Sequence, residues 1–190
     1  MTGWSLLAAT DTSRWAAGYA RSEMDDRELV ARQLGREARA FRRVAVRCPF
    51  GRPAVTEQEP YTRAGDPFPT TFYLTCRHLV AAVSRLEAAA GVERWSAEVA
   101  LDPELSGSLA AATEEQRRIR RELADGRTGQ DGGASLELGI GGSRNPPQLK
   151  CLHAHVAFAL ARPGYVFGDR IRAELGEDPW PTSCCTDTSS

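Results

Sequence analysis

Three cysteines in this 190-residue chain stand beside residues that ligate metals or activate thiols: Cys48 ahead of Pro49, Cys76 in Cys76-Arg77-His78, and Cys151 in Lys150-Cys151-Leu152-His153-Ala154-His155. Every histidine of the protein falls within four residues of one of them. Three thiolates and one imidazole make a tetrahedral zinc set, and three thiolates alone hold an iron–sulfur cluster with one iron left open. Sulfur and nitrogen donors exclude magnesium and calcium, which take oxygen. The expected metal ligands are therefore Cys48, Cys76, Cys151, His153 and His155, with zinc and an iron–sulfur cluster both open as cofactor. The chain has no C-x-x-C knuckle, and the same residues also read as buried small hydrophobes and ordinary core histidines.

Helix geometry sorts the histidines. At about 100° per residue, Cys151 and His155 share a face, whereas Cys151 and His153 point to opposite sides. His153 is expected to join Cys151 on one ion only through an irregular first turn, or else to orient a ligand or move a proton from behind it. Lys150, the only lysine among 24 basic residues, is the candidate cofactor-binding cation, because its charge offsets that of a thiolate site. A thiol enzyme is the competing chemistry, with Cys76 or Cys151 as nucleophile and His153 as acid and base. Cys184-Cys185 sits in a Ser/Thr-rich end and receives no metal role.

The elements that must position these residues follow from patterning. Residues 24–34 read as a helix capped by Ser22 and ended by Gly35. Strand formers fill 41–47, 53–55 and 70–74. Thr75 can cap a helix that starts at Cys76, where exposed amides and the dipole favour a thiolate, and that runs to Gly91. Asp102-Pro103 opens a helix over 103–124, read as exposed and braced by Glu114–Arg118 and Glu115–Arg118 pairs. Seven of the 17 glycines lie within 126–142, so 126–145 reads as a flexible loop with at most a short strand at 136–140. Helices at 148–161 and 169–175 complete the chain. The expectation is a single α+β or α/β domain over 23–175, a small sheet covered by about four helices, between a flexible arm (1–22) and a disordered tail (176–190). The three sulfurs are expected to meet at one sheet edge.

Composition bounds the function. With 24 basic against 25 acidic residues, a net charge of −1 and 42% hydrophobic residues, the chain has the balance of a soluble globular domain. No apolar run approaches the ~20 residues of a bilayer span, and no export signal is read at the start, so the expected location is the cytoplasm. The net charge argues against nucleic acid as the main partner, although residues 31–52 hold seven arginines and one glutamate and form a modest electrostatic patch. There is no G-x-S-x-G elbow, no His-Glu-x-x-His pair and no Rossmann fingerprint, and Gly139-Ile140-Gly141-Gly142 lacks a P-loop's Gly-Lys-Ser/Thr ending.

Three motifs, in order, carry a resemblance: Cys48-Pro49-Phe50-Gly51-Arg52-Pro53, Pro69-Thr70-Thr71-Phe72-Tyr73-Leu74-Thr75-Cys76 and Lys150-Cys151-Leu152-His153-Ala154-His155. Over about residues 29–175 the chain resembles the uncharacterised bacterial family known as domain of unknown function 501, common in actinobacteria. The resemblance implies that Cys48, Cys76, Lys150, Cys151 and His153 are shared positions. It also implies a gene beside one for a septum-formation protein, and so a cell-division protein as candidate partner. On that footing the chain is alternatively a non-enzymatic adaptor of cell division or envelope growth, its metal merely structural. Relatives often have proline where Arg77 stands, and some have a second cysteine at the position of Phe50, so this chain departs from the pattern at both.

Overall fold

The computed structural model describes residues 25–145, 148–176 and 180–184; the expected arm at 1–22 and the cap Ser22 lie outside them. Helix α1 (Asp26–Leu34) starts behind Asp25 and stops at Gly35, whose φ of 66° ends a helix without the penalty a Cβ would bring. The expected strands form β1 (Phe41–Arg47), β2 (Pro53–Gln58) and β3 (Phe72–Leu74), hydrogen-bonded in the order β1-β2-β3. Both pairings are antiparallel, which makes the fold α+β and removes the α/β alternative. Cys48 sits in the β1–β2 turn, where its N–H donates to Arg52 O at 2.9 Å.

Strand β2 is longer than the sequence indicates because it is central. Its two edges are both paired and all six of its residues are buried, including Thr56, Glu57 and Gln58. Each polar side chain has a partner: Glu57 accepts from Arg43 Nε at 2.6 Å, and Gln58 Nε2 donates to Thr56 Oγ1 at 2.6 Å. Val55 lies between Val46 of β1 and Leu74 of β3 in the register.

Five further helices follow: α2 (Arg77–Ala88), α3 (Gly91–Leu101), α4 (Pro103–Ala124), α5 (Leu152–Ala161) and α6 (Val166–Ala173). Among the described residues this makes six helices, one more than the five helical segments the sequence indicates, because Gly91, read as a terminator, opens α3 instead. A Cβ at Gly91 would stand 2.6 Å from Leu86 O, so only glycine lets the chain turn this closely. Helix α4 has the bounds its caps indicate, with Asp102 accepting from Glu104 N and Leu105 N. It is not an exposed helix, since Leu105, Leu109, Ala112, Gln116, Ile119 and Arg120 on one side are buried. Of its two expected charge pairs Glu115–Arg118 forms, at 3.9 Å, whereas Glu114 meets Arg117; Arg118 also meets Glu122 at 2.6 Å, and Glu115 also pairs with Arg162. The glycine-rich segment forms no strand at 136–140; it folds as 3-10 turns at Ala134–Glu137 and Ile140–Gly142.

Helix α5 is apolar on all sides, as a helix enclosed by other elements must be. It packs on β3, α2 and α6, and Phe158 meets Phe72 and Tyr165 edge to face, with centroids 5.5 Å apart in each pair. Trp180 packs against the same cluster, and Cys184 is buried. No helix among the described residues is long and apolar enough to cross a membrane.

The α5–α6 contact depends on Gly168, where a Cβ would fall 2.5 Å from the Tyr165 ring and 2.8 Å from Ala159 Cβ. Overpacking of this kind costs about 1–3 kcal/mol. Gly168→Ala is therefore expected to lower the urea midpoint with an unchanged m-value; an unmoved midpoint would show that the two helices separate freely.

Candidate metal centre

Two helix ends build the site. Helix α5 begins at Leu152, four residues later than the pattern indicates, so Cys151 is its N-cap with extended backbone (φ −162°, ψ 119°). Freed from helical geometry, Cys151 turns its Sγ to 3.5 Å from His153 Nδ1 in the first turn. The opposite-face argument fails because it assumed that both residues were already helical. From α2, Glu87 Oε1 accepts from Leu152 N at 2.6 Å and lies 3.2 Å from the same Nδ1. The carboxylate thus satisfies one of the orphan N–H groups at the start of α5, where the dipole favours a negative charge.

The other ring nitrogen is fixed as well. His153 Nε2 is 3.1 Å from Val80 O and 3.2 Å from Ser84 Oγ. A carbonyl only accepts, so Nε2 carries a proton and Nδ1 is the atom turned to Cys151 and Glu87. Burial by itself lowers the imidazole pKa, but the neighbouring Cys151 and Glu87 outweigh it and raise His153 to about 9. The imidazole, the Cys151 sulfur and the Glu87 carboxyl group thus share one small volume. Beside them opens a cavity of about 330 Å³, lined by Phe72, Leu74, Val80 and Gly141 together with Cys151 and His153.

Among the described residues, Glu87, Cys151 and His153 are the one group of three His, Cys, Asp or Glu ligand atoms lying within 4.8 Å of one another. Of the five expected ligands the fold thus brings Cys151 and His153 into this group, and the other three are not members of it. Cys48 is buried in the core cluster behind the β1–β2 turn. Cys76 is also buried there, as the N-cap of α2 and not its first residue, while Thr75, the expected cap, makes no cap bond and its hydroxyl has no hydrogen-bond partner. His155 is 1% exposed and its Nδ1 is 2.7 Å from the Tyr165 hydroxyl. Lys150 and His78 are exposed. Glu87 is absent from the sequence reading; its one local signal is an acid in the last turn of a helix, where the dipole disfavours it.

A family described as "Protein of unknown function (DUF501)" matches residues 44–173, a span that contains Glu87, Cys151 and His153. No curated protein and no solved structure gives a significant match.

Proposed function

We propose, for a chain that belongs to the DUF501 family of proteins of unknown function, that Glu87, Cys151 and His153 bind one zinc ion whose fourth position faces the adjoining cavity. One observation carries the reading. Bonds of ~2.3 Å to sulfur and ~2.0–2.1 Å to nitrogen and oxygen at tetrahedral angles place sulfur and nitrogen about 3.5 Å apart and nitrogen and oxygen about 3.3 Å apart. The corresponding separations here are 3.5 Å and 3.2 Å. A single thiolate in the set favours zinc over an iron–sulfur cluster, which takes three or four. Val80 O and Ser84 orient the imidazole from behind, and the Leu152 N–H orients the carboxylate, as outer partners of a metal site do. Three protein ligands with an open position are the catalytic pattern, and zinc there supplies Lewis-acid polarisation of a substrate oxygen. We place the protein in the cytoplasm, where a thiolate ligand stays reduced.

The test is cobalt(II) substitution and zinc stoichiometry on the purified untagged chain. The parent is expected to take up one equivalent and show a sulfur-to-cobalt charge-transfer band. Cys151→Ser should abolish that band, and Glu87→Gln should weaken binding by roughly 10- to 100-fold or more, the scale seen even for outer partners. Cys48→Ser and Cys76→Ser should keep it. Full metal content in Cys151→Ser, or loss of it in Cys76→Ser, would overturn the assignment.

A second reading rests on the same pair: Cys151 as a nucleophile with His153 Nδ1 as its base, 3.5 Å away. Cys76 is 1% exposed, which leaves Cys151 as the thiol of that reading. Alkylation separates the two. Under the zinc assignment, added zinc protects Cys151 from iodoacetamide; under the nucleophile reading it does not.

A further inference from the structure

Apart from the residues described above, the turn before β1, β1 itself, the loop after β2, α1 and the turn after α4 line a groove of about 540 Å³. It gathers Arg27, Arg39, Arg42, Arg43, Arg63 and Arg127. Three of these, Arg39, Arg42 and Arg43, come from the basic run 31–52; Arg27 comes from α1, Arg63 from the loop after β2 and Arg127 from the turn after α4. We propose that this groove binds a compact anion carrying two or more phosphate groups, either free or as the tail of a nucleotide.

The charge balance supports an anion. Glu57 is shared by Arg43 at 2.6 Å and Arg42 at 3.4 Å, and Glu59 by Arg42 at 2.8 Å and Arg127 at 3.1 Å. These two carboxylates hold guanidinium groups side by side against their mutual repulsion, yet each neutralises one charge while ordering two. Arg27 donates to Ala38 O and Phe41 O at 2.7 Å each and lies over the Phe41 ring at 5.2 Å, with no ion pair among the described residues to offset its charge. Arg63 makes no ion pair among the described residues. The pair Arg39–Glu37, at 3.4 Å with both side chains about three-quarters exposed, is of the kind that contributes little. Six cations against Glu37, Glu57 and Glu59 leave a surplus of three charges in a space of small-molecule size.

That surplus selects the ligand. One carboxylate or one chloride cannot neutralise it, whereas a diphosphate or triphosphate brings two to four negative charges and the oxygen geometry that guanidinium groups grip in pairs. An extended nucleic acid needs a basic track beyond one groove, and the chain as a whole carries a net charge of −1.

Titration calorimetry on the full chain with inorganic pyrophosphate at low ionic strength tests the proposal. One saturable site is expected, with orthophosphate at least about tenfold weaker. Arg39→Gln and Arg63→Gln, both at exposed turn positions that leave the core intact, should each weaken binding about tenfold, the loss of one charge-assisted contact. Arg85→Gln, exposed on α2, should not, and neither should Cys151→Ser, which separates this groove from the cysteine site. ADP binding tighter than pyrophosphate assigns the anion to a nucleotide tail, and equal or weaker binding assigns it to a free anion. No saturable binding, equal losses in Arg85→Gln, or tight binding of single-stranded RNA with none of pyrophosphate would each overturn it.

Discussion

Acidification from pH 6.5 towards pH 3 is expected to remove several kcal/mol of stability through His155 alone. This imidazole is buried in the middle of α5, and desolvation lowers its pKa from 6.5 to about 3. Tyr165, whose phenol burial pushes well above its usual range, is its one hydrogen-bond partner, through Nδ1. Nε2 has none, and the Phe167 ring lies edge-on at 5.2 Å. An imidazolium would need an acceptor on both nitrogens in a place that supplies at most one. The unfolded chain takes up the proton below pH 6.5 and the folded chain does not until about pH 3, so each pH unit in that window favours unfolding by about 1.4 kcal/mol. The whole window amounts to about 4 kcal/mol, as an order of magnitude. His153 works in the opposite sense: its raised value contributes stability that is complete below pH 6.5 and lost as the pH rises through about 9, so it does not overlap this range. Urea unfolding of the parent and of His155→Gln at pH 7, 5 and 4 makes the check, the carboxylates cancelling in the difference. The parent should lose stability faster than the variant; parallel losses would mean that His155 is solvated in the folded state.

Loss of the Arg120 side chain is the second large effect, expected at about 3–5 kcal/mol for Arg120→Ala. Arg120 is 1% exposed and forms no ion pair within 4 Å of any described carboxylate. Its Nε donates to Ser135 O at 3.1 Å and its Nη1 to Phe68 O at 2.9 Å, while Nη2 has no hydrogen-bond partner. Desolvation brings it down to about 10, with Tyr61 and Asp131 opposing, so it remains a cation at neutral pH. One guanidinium thus ties α4 to the loop before β3 and to the 3-10 turn of the glycine-rich segment. Truncation leaves two carbonyls without their donor and a cavity the size of the stem. Arg120→Lys should recover less than half of the loss, since an ammonium cannot fork to both oxygens. Accelerated proteolysis within 126–145 should accompany the drop in urea midpoint. A change below about 1 kcal/mol would show that the loop is held by its own turns.

The DUF501 motifs, the three strands and several helix ends are legible in the sequence because they are decided by neighbours. Asp102-Pro103 and Gly35 act on the backbone within one turn, and alternating strand formers need only the adjacent strand. Cys151 and His153 are legible as a pair for the same reason, being two residues apart. The remainder depends on residues far apart in the chain. Glu87 reaches Leu152 N across 65 positions, and Arg127 reaches Glu59 across 68. No local signal encodes which side chain a helix will meet after such a loop.

Small boundary shifts also have large consequences, since each residue turns a helix by about 100°. Starting α5 at Leu152 in place of residue 148 leaves Cys151 extended, joins it to His153, and sends His155 into the core. The chemistry of Cys151 and His153 was thus written in their identity and spacing. That Glu87 and not Cys48 or Cys76 stands beside them was decided by the packing of α2 against α5, because only burial of apolar faces sets which helix ends come to within a bond's reach of each other.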